Sequence, residues 1–354
     1  MTDKEAEAWL LREDWCPTLS NMQKVRLGVI GPGLIWDRAH RDIVRSMSNR
    51  FIVTAFSARS EKTRSKAAQQ FPEAEIFADY RELIESETVD AVVVLTPIPL
   101  NAPVAMEVLR AEKHAVVEKP MATSVSEAKE LITAEAESSG TVYILEQFPH
   151  KTVLPEIRTI FQEEILGRLL HFEYVVHNRL EETSGEETKS WGDTRWRQEA
   201  GFPLGNIYDG GIHDLSFLQF LFGPPRAVVA AGSSVRPSYG RYDTITSVFT
   251  YPEELLGTFS HSGYIPGVRN YLIIRGSRGA AEITAHEITI RLSDGSEEQR
   301  RVHHENESVR MWREIAGKIE TGSPGIYSTR ESLADIETLS AIEKSLEEGR
   351  RITP

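Results

Sequence analysis

The stretch VRLGVIGPGLIWDRAH, from Val25 to His40, decides the fold of this chain. It opens with a short apolar run typical of a buried strand. Gly31 and Gly33 then allow a tight turn and let a pyrophosphate approach the N-terminus of the next helix. Trp36 stands where such turns usually have a third glycine, which serves only the packing of helix against strand. We therefore expect a dinucleotide-binding turn, with an ordinary strand-to-helix turn as the alternative.

Short apolar runs alternate with helix-periodic stretches from this turn to about residue 145. Continuous apolar strands separated by helices indicate a parallel sheet covered on both faces. Residues 25–145 are therefore predicted to form a doubly wound Rossmann domain. Beyond them, apolar runs joined by short turns predict an α+β domain with an open, largely antiparallel sheet, spanning 146–354. Residues 1–24 are interpreted as an acidic N-terminal tail.

Composition excludes several classes of function. The 354 residues carry a formal net charge of -13, which disfavours nucleic acid as a partner. Cys16 is the only cysteine, so a Cys-rich zinc site is excluded, and no metal site is expected. No apolar run approaches the roughly 18 residues of a membrane-spanning helix, and the N-terminus has acidic residues where a signal peptide needs basic ones. We expect a cytoplasmic protein with no membrane partner.

The tip of the second strand bears on the choice of cofactor. An acidic residue there binds the ribose 2′-hydroxyl of NAD, whereas a basic residue suits the 2′-phosphate of NADP. This chain has Ser57, Arg59 and Ser60 at that position, with no Asp or Glu. The sequence therefore favours NADP, with NAD possible. A solvated basic helix start is the alternative interpretation of these residues.

Two further segments carry side chains that could take part in a reaction. VVEKPMATS places Glu118 and Lys119 where the fifth strand ends, the edge at which open α/β sheets bind ligands. NIYDGGIHDL places Asp209 and His213 four residues apart, one turn along a helical face. The alternative is that Asp209 and His213 form an ordinary pair on one helix and that Lys119 is a solvated residue at a strand end.

Taken together, the sequence resembles the glucose-fructose oxidoreductase and inositol dehydrogenase (Gfo/Idh/MocA) family. The likeness rests on the glycine turn with His40, TPIPLNAP, EKP, LEQF, TRWR, D-x-G-x-H and RGSRGAAEI. It implies hydride transfer between a nicotinamide and a sugar, cyclitol or related polyol. It also implies a homodimer or homotetramer formed through the C-terminal sheet, and a cis peptide bond before Pro120.

The resemblance also implies roles for individual residues. Lys119 would bind the reacting oxygen, Asp209 would orient it, and His213 would act as the general acid/base. Trp196 and Arg197, with these three, would contact the substrate. The residues expected to bind the cofactor are Gly31, Gly33, Leu34, Ile35, Ser57, Arg59, Ser60, Thr96, Pro97, Glu118, Lys119 and Glu146.

Departures from the family pattern leave the substrate open. Asn101 stands where the family often has His, and QFPHK stands where it commonly has Arg or Tyr-Arg. Ser216 replaces an acid three residues after His213, with Asp214 beside the histidine instead. Two alternative functions remain: a glycoside hydrolase of the same fold that works by transient oxidation and elimination, and a non-catalytic dinucleotide sensor.

Overall fold

The computed structural model describes residues 24–178, 204–234, 241–267 and 269–354. The predicted tail, apart from Lys24, lies outside the described residues. Trp196 and Arg197, predicted to contact the substrate, lie outside them as well. None of the helices in the described ranges has both the length and the apolar character needed to cross a membrane.

The first layer is a six-stranded parallel sheet with the order β3-β2-β1-β4-β5-β6. AVVV in β4 is buried at every position because helices cover both faces. The strand order reverses between β1 and β4, the switch point beside which such sheets bind ligands. The predicted doubly wound sheet is confirmed. Its strands are β1 (Val25–Ile30), β2 (Phe51–Ser57), β3 (Glu75–Phe77), β4 (Ala91–Val94), β5 (His114–Glu118) and β6 (Val142–Leu145).

The helices of this layer follow the strands as the sequence predicts, with one irregularity. The helix after β1 begins with a π-helical turn, Trp36–His40, in which hydrogen bonds span five residues instead of four. This turn brings both Trp36 and His40 to buried positions. The regular helices are α1 (Arg41–Ser46), α2 (Glu61–Gln70), α3 (Tyr80–Glu85), α4 (Asn101–Arg110) and α5 (Val125–Ala136).

The second layer is an eight-stranded sheet with the order β14-β13-β12-β11-β7-β10-β9-β8. Every neighbouring pair is antiparallel except β7 and β10, which run parallel. The predicted open, largely antiparallel sheet is therefore confirmed. Its strands are β7 (Leu169–His177), β8 (Ala227–Ser233), β9 (Thr244–Thr250), β10 (Leu256–Ser262), β11 (Tyr271–Gly276), β12 (Gly279–Ile283), β13 (Glu287–Leu292) and β14 (Glu297–Arg301).

The remaining helices join the two sheets. They are α6 (Val153–Gln162), α7 (Asn206–Asp209), α8 (Gly211–Phe222), α9 (Glu307–Lys318) and α10 (Thr329–Glu348). One face of the second sheet packs on α8 and α10, with Phe172 and Phe259 fully buried. Helix α9, which follows the last strand of the second sheet, packs on the first sheet. There Met311 and Trp312 share one core with Leu27 and Val29. The second half of the chain thus closes over the first sheet.

Candidate active site

The glycine turn has the shape that a pyrophosphate requires. Gly31 has a φ of 73°, and a Cβ there would lie 2.7 Å from the Leu95 carbonyl oxygen. Its N–H donates to the Ser57 carbonyl at 2.9 Å, which ties the turn to the tip of β2. Around Gly33 a Cβ would meet only the Gly31 oxygen, at 3.8 Å, so this side of the turn is open. The turn therefore fits a dinucleotide at the N-terminus of the following helix.

Trp36 does not obstruct the turn. Its side chain is 1% exposed and points into the core under β2. The indole ring packs edge-on against Phe56, with ring centroids 5.8 Å apart, and contacts Phe71 at 6.2 Å. The large ring thus replaces the usual close helix–strand contact with an aromatic one, while Leu34 and Ile35 before it are half-buried.

Residues 57–60, at the tip of β2, include one cationic side chain, Arg59, and no carboxylate. Ser57 is buried, whereas Arg59 and Ser60 are exposed. The Ser60 hydroxyl accepts a hydrogen bond from the Thr63 N–H at 3.4 Å and caps α2. Arg64 donates to the carbonyls of Ala58 and Arg59, both at 2.8 Å, and so shapes the loop. Arg59 is consequently presented at the edge where the ribose of a bound dinucleotide would lie.

The backbone around Lys119 is held by a buried asparagine. Asn101 donates to the carbonyl of Glu118 at 3.0 Å and to that of Pro120 at 2.9 Å. Its own oxygen accepts from the Thr96 hydroxyl at 2.8 Å, next to Pro97. The bond between Lys119 and Pro120 is cis, as expected from the resemblance. Asn101 is 0% exposed, so this departure from the family pattern serves the loop that carries Lys119.

A second buried contact reaches the same loop from α9, the helix of the C-terminal half that packs on the first sheet. The Trp312 indole N–H of α9 donates to His40 Nδ1 at 3.0 Å. The proton of a neutral His40 is therefore on Nε2, which lies 2.9 Å from Glu118 Oε1. The other carboxylate oxygen accepts the Lys119 backbone N–H at 3.0 Å. Sequence reasoning placed Glu118 at the cofactor, whereas its carboxylate is directed to His40 and the Lys119 backbone.

The lysine side chain points to the second layer. Lys119 Nζ lies 3.1 Å from Asp209 Oδ1 and 2.7 Å from the Asp209 carbonyl oxygen. The side chains of both residues are about one-tenth exposed. Asp209 ends α7, and only Gly210 separates it from α8, which carries His213. The structure thus brings together the EKP loop and the D-x-G-x-H segment, as predicted.

His213 is oriented by a carboxylate. Its Nδ1 lies 2.7 and 2.8 Å from the two oxygens of Glu146, a residue that is 0% exposed. This contact places the proton on Nδ1 and leaves Nε2 as the proton acceptor. The Phe148 ring stacks on the imidazole, with ring centroids 4.9 Å apart. The backbone N–H of Phe148 donates a hydrogen bond to the Glu146 carboxylate at 2.9 Å. The Glu146 carboxylate thus holds His213, and the expected contact of Glu146 with the cofactor stays a prediction.

Strand pairing explains why these groups meet. Glu118 of β5 is in register with Leu145 of β6, so Lys119 and Glu146 follow at the same edge of the sheet. Asp214 does not face this edge: it accepts from the Tyr174 hydroxyl at 2.9 Å and lies 3.0 Å from His261 Nδ1. The described ranges hold no group of three or more His, Cys, Asp or Glu side chains placed to bind a metal ion.

Two family models match the chain. Residues 25–146 match the oxidoreductase family, NAD-binding Rossmann fold, and residues 155–282 match the Gfo/Idh/MocA C-terminal domain. The chain belongs to the Gfo/Idh/MocA family. It is accordingly an oxidoreductase built on an NAD(P)-binding Rossmann fold, and the resemblance seen in the sequence is confirmed.

Several characterised relatives of this Gfo/Idh/MocA chain are dehydrogenases. The scyllo-inositol 2-dehydrogenase (NADP(+)) IolW of Bacillus subtilis is 26% identical over 206 residues, which cover 58% of this chain and 54% of the relative. The trans-1,2-dihydrobenzene-1,2-diol dehydrogenase of Mus musculus is 26% identical over 268 residues, covering 73% and 74%. Their catalysed reactions differ, so the relatives do not define a common substrate.

Solved structures show the same fold over nearly the whole length. An oxidoreductase from Thermotoga maritima superposes with a TM-score of 0.85 at 24% identity, covering 94% of this chain and 98% of the other. Levoglucosan dehydrogenase, in complex with NADH and levoglucosan, superposes with a TM-score of 0.80 at 16% identity, covering 94% and 99%. At these identities the likeness concerns the fold alone.

Proposed function

We propose that this oxidoreductase transfers hydride between a nicotinamide and an alcohol carbon of a sugar, cyclitol or related polyol. The observation that carries the proposal is the contact of Lys119 Nζ with Asp209, which lies four residues before His213, whose Nδ1 is held by Glu146. An ammonium donor and an imidazole acceptor at one sheet edge are what removal of an alcohol proton needs. The dehydrogenase relatives support the same reaction type.

The roles of the residues follow from their contacts. In the oxidative direction, Nε2 of His213 accepts the hydroxyl proton of the substrate. The Nδ1–H group of the same ring stays hydrogen-bonded to the Glu146 carboxylate. Lys119 donates a hydrogen bond to the same oxygen and stabilises its developing negative charge. Asp209 keeps the ammonium aimed and limits its movement. A bound nicotinamide supplies the acceptor for the hydride that leaves the carbon, and the carbonyl product remains.

The test uses purified protein and a panel of sugars, sugar phosphates and inositols, with reduction of NAD and NADP followed at 340 nm. We expect turnover of at least one neutral polyol. Lys119→Met and His213→Ala should each lower kcat by about 10²–10⁴-fold while cofactor affinity is retained. Normal turnover in both variants, with cofactor bound, would refute the assigned roles.

We further propose a preference for NADP over NAD. The exposed Arg59 and the absence of a carboxylate at residues 57–60 support it, because a guanidinium binds a phosphate dianion through charge-assisted hydrogen bonds. Fluorescence titration should show NADPH bound about tenfold more tightly than NADH, and Arg59→Ala should remove most of that difference. Equal affinity of the unchanged protein for both cofactors would count against the preference.

We also propose that the chain forms a homodimer or homotetramer in the cytoplasm. The second sheet packs on helices with one face, whereas residues on its other face include Val229 and Leu256, which are 44% and 40% exposed. In register across this face lie Val229, Val248, Thr258 and Glu173, a mixed apolar and polar row. Sedimentation velocity should give a dimer or tetramer, and Val248→Asp with Leu256→Asp should dissociate it. A monomer at micromolar concentration would contradict this.

A further inference from the structure

A cavity of about 300 Å³ lies beside the candidate active site, between β7, β11 and the first turns of α6 and α9. This volume is at the lower end of the range for small-molecule sites. Neither Lys119 nor Asp209 nor His213 lines it, so it is a space distinct from the one in which hydride would be transferred. Its wall combines aromatic rings with a few charged groups: Phe148, Lys151, Tyr174, Asp214, Phe217 and Glu307.

The cavity is one aromatic ring away from the imidazole. Phe148 lines the cavity and also stacks on His213, with ring centroids 4.9 Å apart. Asp214, the residue after His213, forms another part of the wall. Phe148 therefore borders both the cavity and His213, and the two spaces adjoin across this one ring.

Lys151 offers hydrogen-bond donors that the described residues do not use. Its ammonium lies 3.3 Å from the Phe148 ring centroid and 5.3 Å from that of Phe217, and no described residue accepts a hydrogen bond from it. Burial lowers the pKa of Lys151, against the opposing influence of Asp214, Glu307 and Glu146. A ligand oxygen placed at Nζ would supply an acceptor that this partly buried cation lacks.

Two carboxylates in the cavity wall, Asp214 and Glu307, differ in how fully protein partners occupy them. Asp214 is engaged by Tyr174 and His261. Glu307 lies 4.0 Å from His304 Nε2, and no closer ion pair or side-chain hydrogen bond holds its carboxylate within the described residues. The wall thus presents an ammonium, which can only donate, and a carboxylate, which can only accept.

These groups select one ligand chemistry. A hydroxyl group both accepts and donates, so a hydroxyl-rich ring can satisfy Lys151 and Glu307 together. The side chains of Phe148, Tyr174 and Phe217 give the wall an apolar part that suits the C–H groups of such a ring. Of the carboxylates in the lining, Glu305 is paired with Arg310 and Arg313, and Asp214 lies against His261, so Glu307 is the one left to repel an anionic ligand.

We propose that this cavity is a subsite for a second, uncharged carbohydrate ring, joined to the ring that is oxidised at His213. The substrate would then be a neutral disaccharide or glycoside, and a free monosaccharide would leave the subsite empty. This inference rests on the proposed function, since it needs a sugar at His213.

The test compares matched one-ring and two-ring compounds. Initial rates of NADP and NAD reduction are measured with glucose, cellobiose, maltose, lactose and the acid cellobionate. We expect kcat/KM for the best neutral disaccharide to exceed that for glucose by about tenfold, equivalent to 1.4 kcal/mol of extra binding. Cellobionate should be used less well than cellobiose. Lys151→Met and Glu307→Gln should each reduce the disaccharide-to-glucose ratio towards one.

A matched control is Lys129→Met, which removes an exposed lysine on α5, far from this cavity. The ratio should stay unchanged in this variant. Calorimetric titration of the protein–NADPH complex with cellobiose, maltose or lactose needs no turnover: binding without hydride transfer would refute the proposed function and support the subsite. A ratio near one in the unchanged protein, no binding of any disaccharide, or a ratio that survives both substitutions would overturn the subsite.

Discussion

Lys119 and His213 are held in place in two different ways. The lysine is positioned through its backbone: Asn101 binds the carbonyls on either side of it, and Glu118 binds its N–H. The histidine is positioned through its ring, by the carboxylate of Glu146 and the face of Phe148. The first arrangement extends through His40 to Trp312 of α9, in the C-terminal part of the chain, whereas the second is confined to the strand end beside α8.

The difference follows from the side chains themselves. A lysine has four rotatable bonds, so fixing its Cα and giving its ammonium one partner, Asp209, is an economical way to aim it. An imidazole has two distinct nitrogens, and a partner on one of them determines which is free for chemistry. We therefore expect loss of the ring partner to change the chemistry itself, and loss of a backbone support to change geometry more mildly.

The largest expected effect is that of Glu146→Gln. The glutamine amide can donate to Nδ1 and so stabilise the tautomer with the proton on Nε2, which cannot accept the substrate proton. We expect kcat to fall by about 10²–10⁴-fold, as when the carboxylate partner of a catalytic histidine is neutralised in other enzymes. Steady-state kinetics with either cofactor measure this, with cofactor affinity unchanged.

Glu130→Gln is the matched control, because Glu130 is an exposed residue of α5. It should leave kcat within about twofold, as expected for a surface substitution. If Glu146→Gln retained more than about a tenth of the unchanged kcat, the role of Glu146 in selecting the tautomer would be wrong.

The next effect tests the backbone support. His40→Leu removes both the acceptor for Trp312 and the donor to Glu118, and leaves a buried carboxylate short of a partner. We expect kcat to fall by about 10–100-fold through misplacement of Lys119. His40→Gln can restore both hydrogen bonds, because its amide oxygen accepts and its amide nitrogen donates.

Rescue by glutamine separates positioning from simple loss of fold. His40→Gln should recover most of kcat, and neither variant should change the pH profile assigned to His213. Equal kcat values in the leucine and glutamine variants, measured on samples with the same thermal midpoint, would show that Lys119 does not depend on this contact.

Most of the fold could be predicted because its signals are local. The strands of the first sheet are continuous apolar runs, and their alternation with helix-periodic stretches predicts the doubly wound sheet that the structure has. Strand β14, with the sequence EEQRR, could not be recognised: it is an edge strand whose charged side chains are mostly exposed, so no apolar alternation marks it. Strand β3 is only three residues long.

The residues of the candidate site were predicted better than their contacts. Lys119, Asp209 and His213 follow strand ends or lie in a short motif, and sheet topology brings such positions together. The contact between His40 and Trp312 spans 272 positions, and no local pattern marks it. Glu146 was named from the resemblance, through LEQF, but which way a side chain turns at a strand end depends on its tertiary partner. The cofactor preference and Trp196 and Arg197 remain predictions.

The smallest expected effect concerns the turn that carries Phe148. This 3₁₀ turn, Phe148–His150, contacts α9 through His150 Nε2, 3.5 Å from Glu314 Oε2. Burial raises the pKa of Glu314 to about 7, so the folded state binds a proton that the unfolded chain releases near pH 4.5. This group therefore lowers the stability of the unchanged protein as the pH rises from about 4.5 to 7. Glu314→Gln removes that penalty and should raise the free energy of unfolding at pH 8 by about 1–2 kcal/mol, with little change at pH 5. Urea unfolding at the two pH values measures the difference, and a variant equally destabilised at both would show that the carboxyl group acts there only as a hydrogen-bond acceptor.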